Sequence, residues 1–381
     1  MPCDADIQRI FMKMIKMLMV ALLLITAGFA SECMAESRPD TVSVAESTAD
    51  AVSVAESTPD VVSVAESAPD AVSVAESMAD AVSMAESTVD AVSMNENGIY
   101  TVTFDDKEMD YFRFGNENGP KVVILPGVSL KSLMGAKDAV TNAYSLLAKD
   151  YDVYLFDRIR VFPEDYDVYA MADDTLRAIR AAGLHDVRIM GVSQGSMMAM
   201  VMAVRDPELV HSIMLCNSAA RIADSAVFET WKKLAEERNT PALLEAFGEY
   251  VYTPSFFEKY KEQIIASGEG ASEQEYENFI ISVGAAASFD WYDHLQEITC
   301  PALVIGASED RVLGVEASYE LIEQLECESF IYEGYGHGVY DEAPDFLTHI
   351  KAFLDEYKGP ETVSNSDSGA DESARTVPGT H

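Results

Sequence analysis

From Lys121 onward, short apolar runs alternate with amphipathic stretches, and no other feature restricts the fold as tightly. The runs are "KVVILPG" from Lys121, "DVYLFD" from Asp152, "DVRIMG" from Asp186, "LVHSIMLCN" from Leu209, "PALVIGA" from Pro301 and "ESFIYEG" from Glu328. They are too short for core helices and too continuously apolar for strands with one wet face, so they suit a parallel sheet covered on both sides. Between them lie helical stripes. Val168, Ala172, Leu176 and Ile179 form one, closed by Gly183; Phe346, Ile350, Phe353 and Leu354 form another, entered through Pro344. Upstream, "IYTVTFDD" and "YFRFG" flank a charged turn and read as an antiparallel pair. The alternation predicts an α/β fold with a mostly parallel sheet. From about 221 to 295 the strand signal stops and only helical patterns remain, which predicts a helical cap inserted between two strands.

The N-terminal end obeys different rules. Residues 1–30 have the layout of a secretory signal peptide: a basic stretch from Arg9 to Lys16, then the apolar "MLMVALLLITAGFA", with small residues permitting cleavage after Ala30 or Ala35. That run is short for a spanning helix, so no stable membrane insertion is expected after cleavage, although an uncleaved signal would tether the chain. Cys33 fits lipidation poorly, because Glu32 stands where that processing wants a small residue. Residues 31–96 are dominated by a decapeptide repeat of the type "AVSVAESTPD", with no Lys or Arg from Thr41 to Met94. Lacking aromatics and with few apolar residues per unit, it is expected to be an acidic, extended spacer rather than a packed solenoid. The polar segment 359–381 is expected to be a disordered tail.

A net charge of −39 argues against nucleic acid and anionic membranes as partners. The five cysteines match neither a zinc spacing nor a disulfide framework and are expected to be free thiols.

Chemistry concentrates in "GVSQG". Ser193 follows the run "DVRIM" and precedes the apolar stretch "GSMMAMVMAVRD", and Gly191 and Gly195 are required where a tight strand-to-helix turn leaves no room for side chains. A serine nucleophile needs a base. Of six histidines, His185 and His211 start strands, His349 flanks the last helix and His381 lies in the tail. His337, in "YEGYGHGVYDEAP", follows the last strand at the edge where Ser193 sits, and is preferred over His294 of the cap. The acid that orients the base is Asp310 or its neighbour Glu309, both just after "PALVIGA"; the shorter Asp310 is preferred. Met197, Met198, Met200 and Met202 are assigned to core packing, and Asp157-Arg158 to an ion pair bracing a loop after the fourth strand.

Ser193, Asp310 and His337 follow the order nucleophile, acid, base, each after a separate strand. With that order, residues 97–358 resemble a capped α/β-hydrolase, similar to the esterase, enol-lactonase and carbon-carbon hydrolase branch. The closing stretch "GYGHGVYDEAPDFLTHIKAFL" resembles that branch's ending. The resemblance implies an eight-stranded, mostly parallel α/β-hydrolase sheet with helices on both faces and the cap inserted after the sixth strand. It also implies an oxyanion hole built from the backbone N–H groups of Val128 and Gln194. Relatives commonly carry His-Gly where this chain has Pro126-Gly127. No metal or organic cofactor is implied. The expected activity is that of an exported serine hydrolase acting on a small-molecule ester, lactone or related carbonyl substrate. Carbon-carbon hydrolysis and aminopeptidase action on the same fold, and a surface binding protein without turnover, are the contrasting expectations.

Overall fold

A computed structural model describes residues 89–358. The signal segment, most of the repeat, Cys3, Cys33 and the tail fall outside the described residues. The strands are β1 (Val89–Met94), β2 (Tyr100–Phe104), β3 (Lys107–Gly115), β4 (Lys121–Leu125), β5 (Asp152–Ile159), β6 (Val187–Val192), β7 (Val210–Cys216), β8 (Ala302–Ala307) and β9 (Glu328–Tyr332). They form one sheet in the order β1-β2-β3-β5-β4-β6-β7-β8-β9. The first three strands pair antiparallel, β3 also runs antiparallel to β5, and every pairing from β5 through β9 is parallel.

Side chains that alternate along the central strands divide into two cores, as the pleat requires. Val123, Leu125, Ile189, Ile213, Leu215 and Val304 face one side. There they pack with α2 (Val168–Ala181), with α3 (Gln194–Arg205) and with Leu321 of a helix nearer the C-terminus. On the other side Val122, Ile124, Met190, Met214 and Ile305 pack with Val140 of α1 (Lys137–Ala143) and with Ile350 and Phe353 of the final helix. Helix α3 is buried from Gln194 to Ala203, and its four methionines are core. Asp167 caps α2 by accepting from the Ala170 N–H, and Gly183, at φ 74°, ends that turn in the left-handed conformation.

The cap runs between β7 and β8 as α4 (Ala226–Glu236), α5 (Thr240–Val251), α6 (Pro254–Ala266) and α7 (Glu273–Ala287). Asn239 and Thr253 cap α5 and α6, each followed by proline in the first turn, and Ser272 with Glu275 forms a capping box on α7. Helices α8 (Val315–Leu325) and α9 (Phe346–Glu356) complete the layers.

The structure departs from expectation at the N-terminal edge. Nine strands are present among the described residues, not eight, and the extra one, β1, lies inside the 31–96 span expected to be spacer. The valine-serine alternation of the last repeat pairs antiparallel with β2, setting Val92 opposite Val102 and Met94 opposite Tyr100. Val92 and Met94 are 42% and 59% exposed. An edge strand held by backbone pairing needs no core, which is why composition alone missed it. The cap therefore follows the seventh strand, the sixth of those expected. Cys216 is buried, Cys300 and Cys327 are half-buried, and all three are free thiols.

Candidate active site

Strand β6 delivers Ser193 at φ 52° and ψ −118°, a strained backbone for a side chain with a Cβ. Neighbouring backbone holds it there. The Ser193 N–H donates to the Cys216 carbonyl at 2.8 Å, and the Ser193 carbonyl accepts from the Ser196 N–H at 2.9 Å and from Ser218 Oγ at 3.1 Å. A Cβ on Gly195 would overlap the Leu125 carbonyl, and one on Gly191 would overlap the backbone of Ser196. Both glycines are thus required by close approach. Gly127 of the loop after β4 lies against the turn, so that a Cβ there would stand 3.1 Å from Ser193 Cβ.

Because β6, β8 and β9 run parallel, the residues after each emerge at one edge of the sheet. Asp310 follows β8 and His337 follows β9, and the two meet there, with His337 Nδ1 2.8 Å from Asp310 Oδ2. Both side chains are almost fully buried. Asp310 Oδ1 accepts the Val312 and Leu313 N–H groups at 2.8 and 3.0 Å. Burial pushes the Asp310 carboxyl up, but His337 and these two N–H groups outweigh it and hold the group below its ordinary 3.8. With Asp310 ionised, the Nδ1–H of His337 donates to it and Nε2 is left able to accept a proton. Among the described residues Ser193 Oγ makes no hydrogen bond, whereas His337 and Asp310 are bonded to each other at the same edge of the sheet.

The competing residues lie elsewhere. Glu309 points to solvent, and His294 is exposed and pairs with Glu297 at 2.7 Å. His211 pairs with Asp186 at 2.8 Å, and His349 packs on Phe330. Val128 is buried in the loop beside Gly127, and neither its N–H nor that of Gln194 has a hydrogen-bond partner among the described residues.

Three features escape the sequence. Asp157 and Arg158 belong to the end of β5 itself, and the expected ion pair between them does not form. Asp157 instead accepts from Ser132 Oγ, from the Leu133 N–H and from the Arg158 N–H. Arg158 is buried and donates from Nη2 to the Pro126 carbonyl at 2.7 Å and to Gln194 Oε1 at 3.2 Å. Gln194 is tied in turn to Ser282 on α7 by two hydrogen bonds of 2.7 and 2.8 Å. The cap also docks on the histidine loop: Tyr252 OH donates to the buried carboxylate of Asp341 at 2.8 Å, the Thr253 N–H to Glu342 at 2.9 Å, and the Gly338 N–H to the Val251 carbonyl at 2.7 Å. Burial raises both carboxyls, Asp341 well above its ordinary 3.8. Among the described residues no cluster of three or more His, Cys, Asp or Glu is placed to hold a metal ion.

Comparison with known proteins agrees with this layout. Residues 120–344 match the family described as alpha/beta hydrolase fold. The RutD protein of Agrobacterium fabrum, a carbamate hydrolase by name, is 27% identical over 50% of this chain and 76% of its own length. The 3-oxoadipate enol-lactonase 2 of Acinetobacter baylyi is 21% identical over 59% of this chain and 84% of its own. Among solved structures, the enol-lactonase of Burkholderia xenovorans superposes with a TM-score of 0.58 at 21% identity, covering 66% of this chain and 98% of that one. The α/β hydrolase MGS-M2 from a deep-sea metagenome gives 0.60 at 21%, covering 70% and 100%. By the family match over residues 120–344 and the strand order that carries it, this chain belongs to the α/β-hydrolase fold family and is a hydrolase.

Proposed function

We propose that this protein is an exported serine hydrolase that cleaves a small ester, lactone or related carbonyl substrate through Ser193, His337 and Asp310. The observation that carries the reading is the buried 2.8 Å hydrogen bond between His337 and Asp310, at the sheet edge where Ser193 is held in a strained turn. Ser193 Oγ attacks the carbonyl carbon as its proton passes to His337 Nε2, and Asp310 stabilises the imidazolium through Nδ1–H. The negative tetrahedral oxygen takes hydrogen bonds from the Val128 and Gln194 N–H groups, which have no partner in the described residues. The leaving group departs with the proton from His337, and water, deprotonated by the same imidazole, releases the acyl group from Ser193. Since the donors are backbone groups, Pro126 in place of a histidine is compatible with this chemistry. Export rests on the signal-like residues 1–30 and the acidic repeat that follows. The names of the relatives, a carbamate hydrolase and enol-lactonases, support hydrolysis at a carbonyl carbon.

The test is labelling of the purified protein with a fluorophosphonate, mapped by mass spectrometry, beside turnover of activated esters. The expected result is a label on Ser193 and a loss of on the order of 10⁴-fold or more in kcat for Ser193→Ala. A folded S193A protein with undiminished turnover would overturn the mechanism.

A further inference from the structure

Ser193 stands at the N-cap position of α3, but its hydroxyl caps nothing, and the first-turn N–H of Gln194 has no partner among the described residues. That N–H is one of the two proposed oxyanion donors, and its direction is set by the peptide plane between Ser193 and Gln194. The plane follows a strained ψ of −118° at Ser193, and a strained backbone persists only where its surroundings over-determine it.

The far end of the Gln194 side chain supplies such a restraint. Gln194 is fully buried, and none of its side-chain partners belongs to its own helix. Nε2 donates to the Ser282 carbonyl at 2.7 Å, while Oε1 accepts from Ser282 Oγ at 2.8 Å and from Arg158 Nη2 at 3.2 Å. Two hydrogen bonds to one residue fix the plane of the amide as well as its distance. The link continues through Arg158, whose Nη2 also donates to the Pro126 carbonyl at 2.7 Å, in the loop that carries the second proposed donor, Val128.

Ser282 lies on α7, so the anchor of this side chain is the cap. One turn earlier on the same face, Asn278 donates from Nδ2 to the Arg160 carbonyl at 2.9 Å and accepts the Phe162 N–H at 3.1 Å. Phe279 and Val283 beside them are buried. Apolar burial is non-directional and leaves a helix free to turn, whereas the bonds of Asn278 and Ser282 fix the rotation of α7 over the nucleophile turn.

We infer that the side chain of Gln194 is a positioning residue for the oxyanion hole: held by Ser282 of the cap, it aims the Gln194 N–H at the substrate's carbonyl oxygen. The cap then completes the site as well as covering it, and Ser282, 88 residues along the chain from Gln194, acts on the chemical step through that side chain. This inference rests on the serine-hydrolase reading, and the experiment separates the two.

Gln194→Met keeps the length of the side chain and removes all three bonds; Ser282→Ala removes only the Oγ bond. Turnover of p-nitrophenyl acetate is measured for the full chain, for both variants and for the double variant, beside inhibition by phenylboronic acid, which forms a tetrahedral adduct on an activated serine. In Q194M, kcat and kcat/KM are expected to fall together by on the order of 10- to 100-fold, less than for outright removal of a donor. Affinity for the boronic acid falls with them, and the pH midpoint of kcat/KM stays at its wild-type position because His337 and Asp310 are untouched. S282A loses several-fold in kcat, and that loss vanishes in the Q194M background.

Wild-type kcat in Q194M, a rise in KM alone, or an S282A loss that persists in full beside Q194M would overturn the inference and leave the contact as cap packing. No turnover and no Ser193 label in the wild type would overturn the hydrolase reading and this one with it. Should Q194M fail to fold, S282A decides: kcat and boronic acid affinity falling together support the inference, and an unchanged kcat overturns it.

Discussion

Two buried aspartates, one bonded to His337 and one on the short helix that follows it, are driven in opposite directions by their surroundings. Asp310, after β8, is surrounded by donors: the imidazole and two backbone N–H groups. Asp341, in the one-turn helix Val339–Glu342, accepts from the Tyr252 phenol and has Glu342 as its neighbour. Burial is the leading influence on both, yet Asp310 is held below 3.8 and Asp341 is pushed well above it. Burial prevails at Asp341 and is outweighed by the surrounding donors at Asp310, so burial alone does not decide the direction. The surroundings of Asp310 keep a charge, which its proposed role behind His337 requires. Those of Asp341 hold the cap on the histidine loop and work as well with a neutral acid.

The hardest blow to this contrast is Asp310→Asn. An amide keeps the shape but cannot stabilise an imidazolium, and it favours the wrong histidine tautomer, so kcat should fall by roughly 10³–10⁴-fold. The wild-type group also has a sign in stability. Its folded pKa lies below the unfolded value of 3.8, so its contribution is present above that pH and is lost as pH falls through the folded pKa. D310N should lack that acid-side loss, which paired urea titrations across the acidic range would detect.

Asp341→Asn should act in the reverse sense. With a folded pKa raised above the unfolded value, the folded protein binds the extra proton, so wild-type stability declines as pH rises from about 3.8 through the folded pKa. The amide still accepts from Tyr252 OH and has nothing to ionise. D341N should therefore gain on the wild type as pH rises, by about 1–3 kcal/mol once the wild-type carboxyl would be charged. Kinetic constants should shift through KM more than through kcat, since the contact holds the cap rather than the reacting atoms. A stability difference that shrank with pH, or a collapse of kcat, would erase the distinction between the two aspartates.

How far these sites were legible follows from the distance over which each is specified. Gly191, Ser193 and Gly195 form a local turn, and the apolar runs on either side announce it. The placement of His337 at the edge that holds Ser193 follows from parallel strands sending their C-terminal ends to one side, which is a rule of topology rather than of contact. The link from Gln194 to Ser282 spans 88 residues and that from Tyr252 to Asp341 spans 89, and neither leaves a periodic trace in the sequence. Adjacency in sequence points to an ion pair between Asp157 and Arg158, yet the Asp157 oxygens go to Ser132, Leu133 and the Arg158 N–H while the guanidinium goes to Pro126 and Gln194. Strand β1 lacks a sequence signal for the opposite reason: its backbone pairing leaves side chains exposed, so no buried apolar pattern marks it.

The smallest effect should come from Glu309→Gln, one residue from Asp310. Sequence alone offers both acids at the end of β8, and chain direction decides between them. Glu309 points to solvent and its backbone N–H bonds the Tyr335 carbonyl, whereas the side chain of Asp310 turns inward to His337. An exposed carboxylate interacts weakly with a buried imidazole across high-dielectric surroundings, and its removal should change stability by no more than about 0.5 kcal/mol. Its one visible electrostatic role is a minor upward push on Glu342, at the cap junction, which the amide would relieve. Activity should stay within about twofold of wild type on that energetic scale. A loss approaching that of D310N would mean that the acid is chosen by position after the strand and not by donors, and the contrast between the two buried aspartates would lose its physical basis.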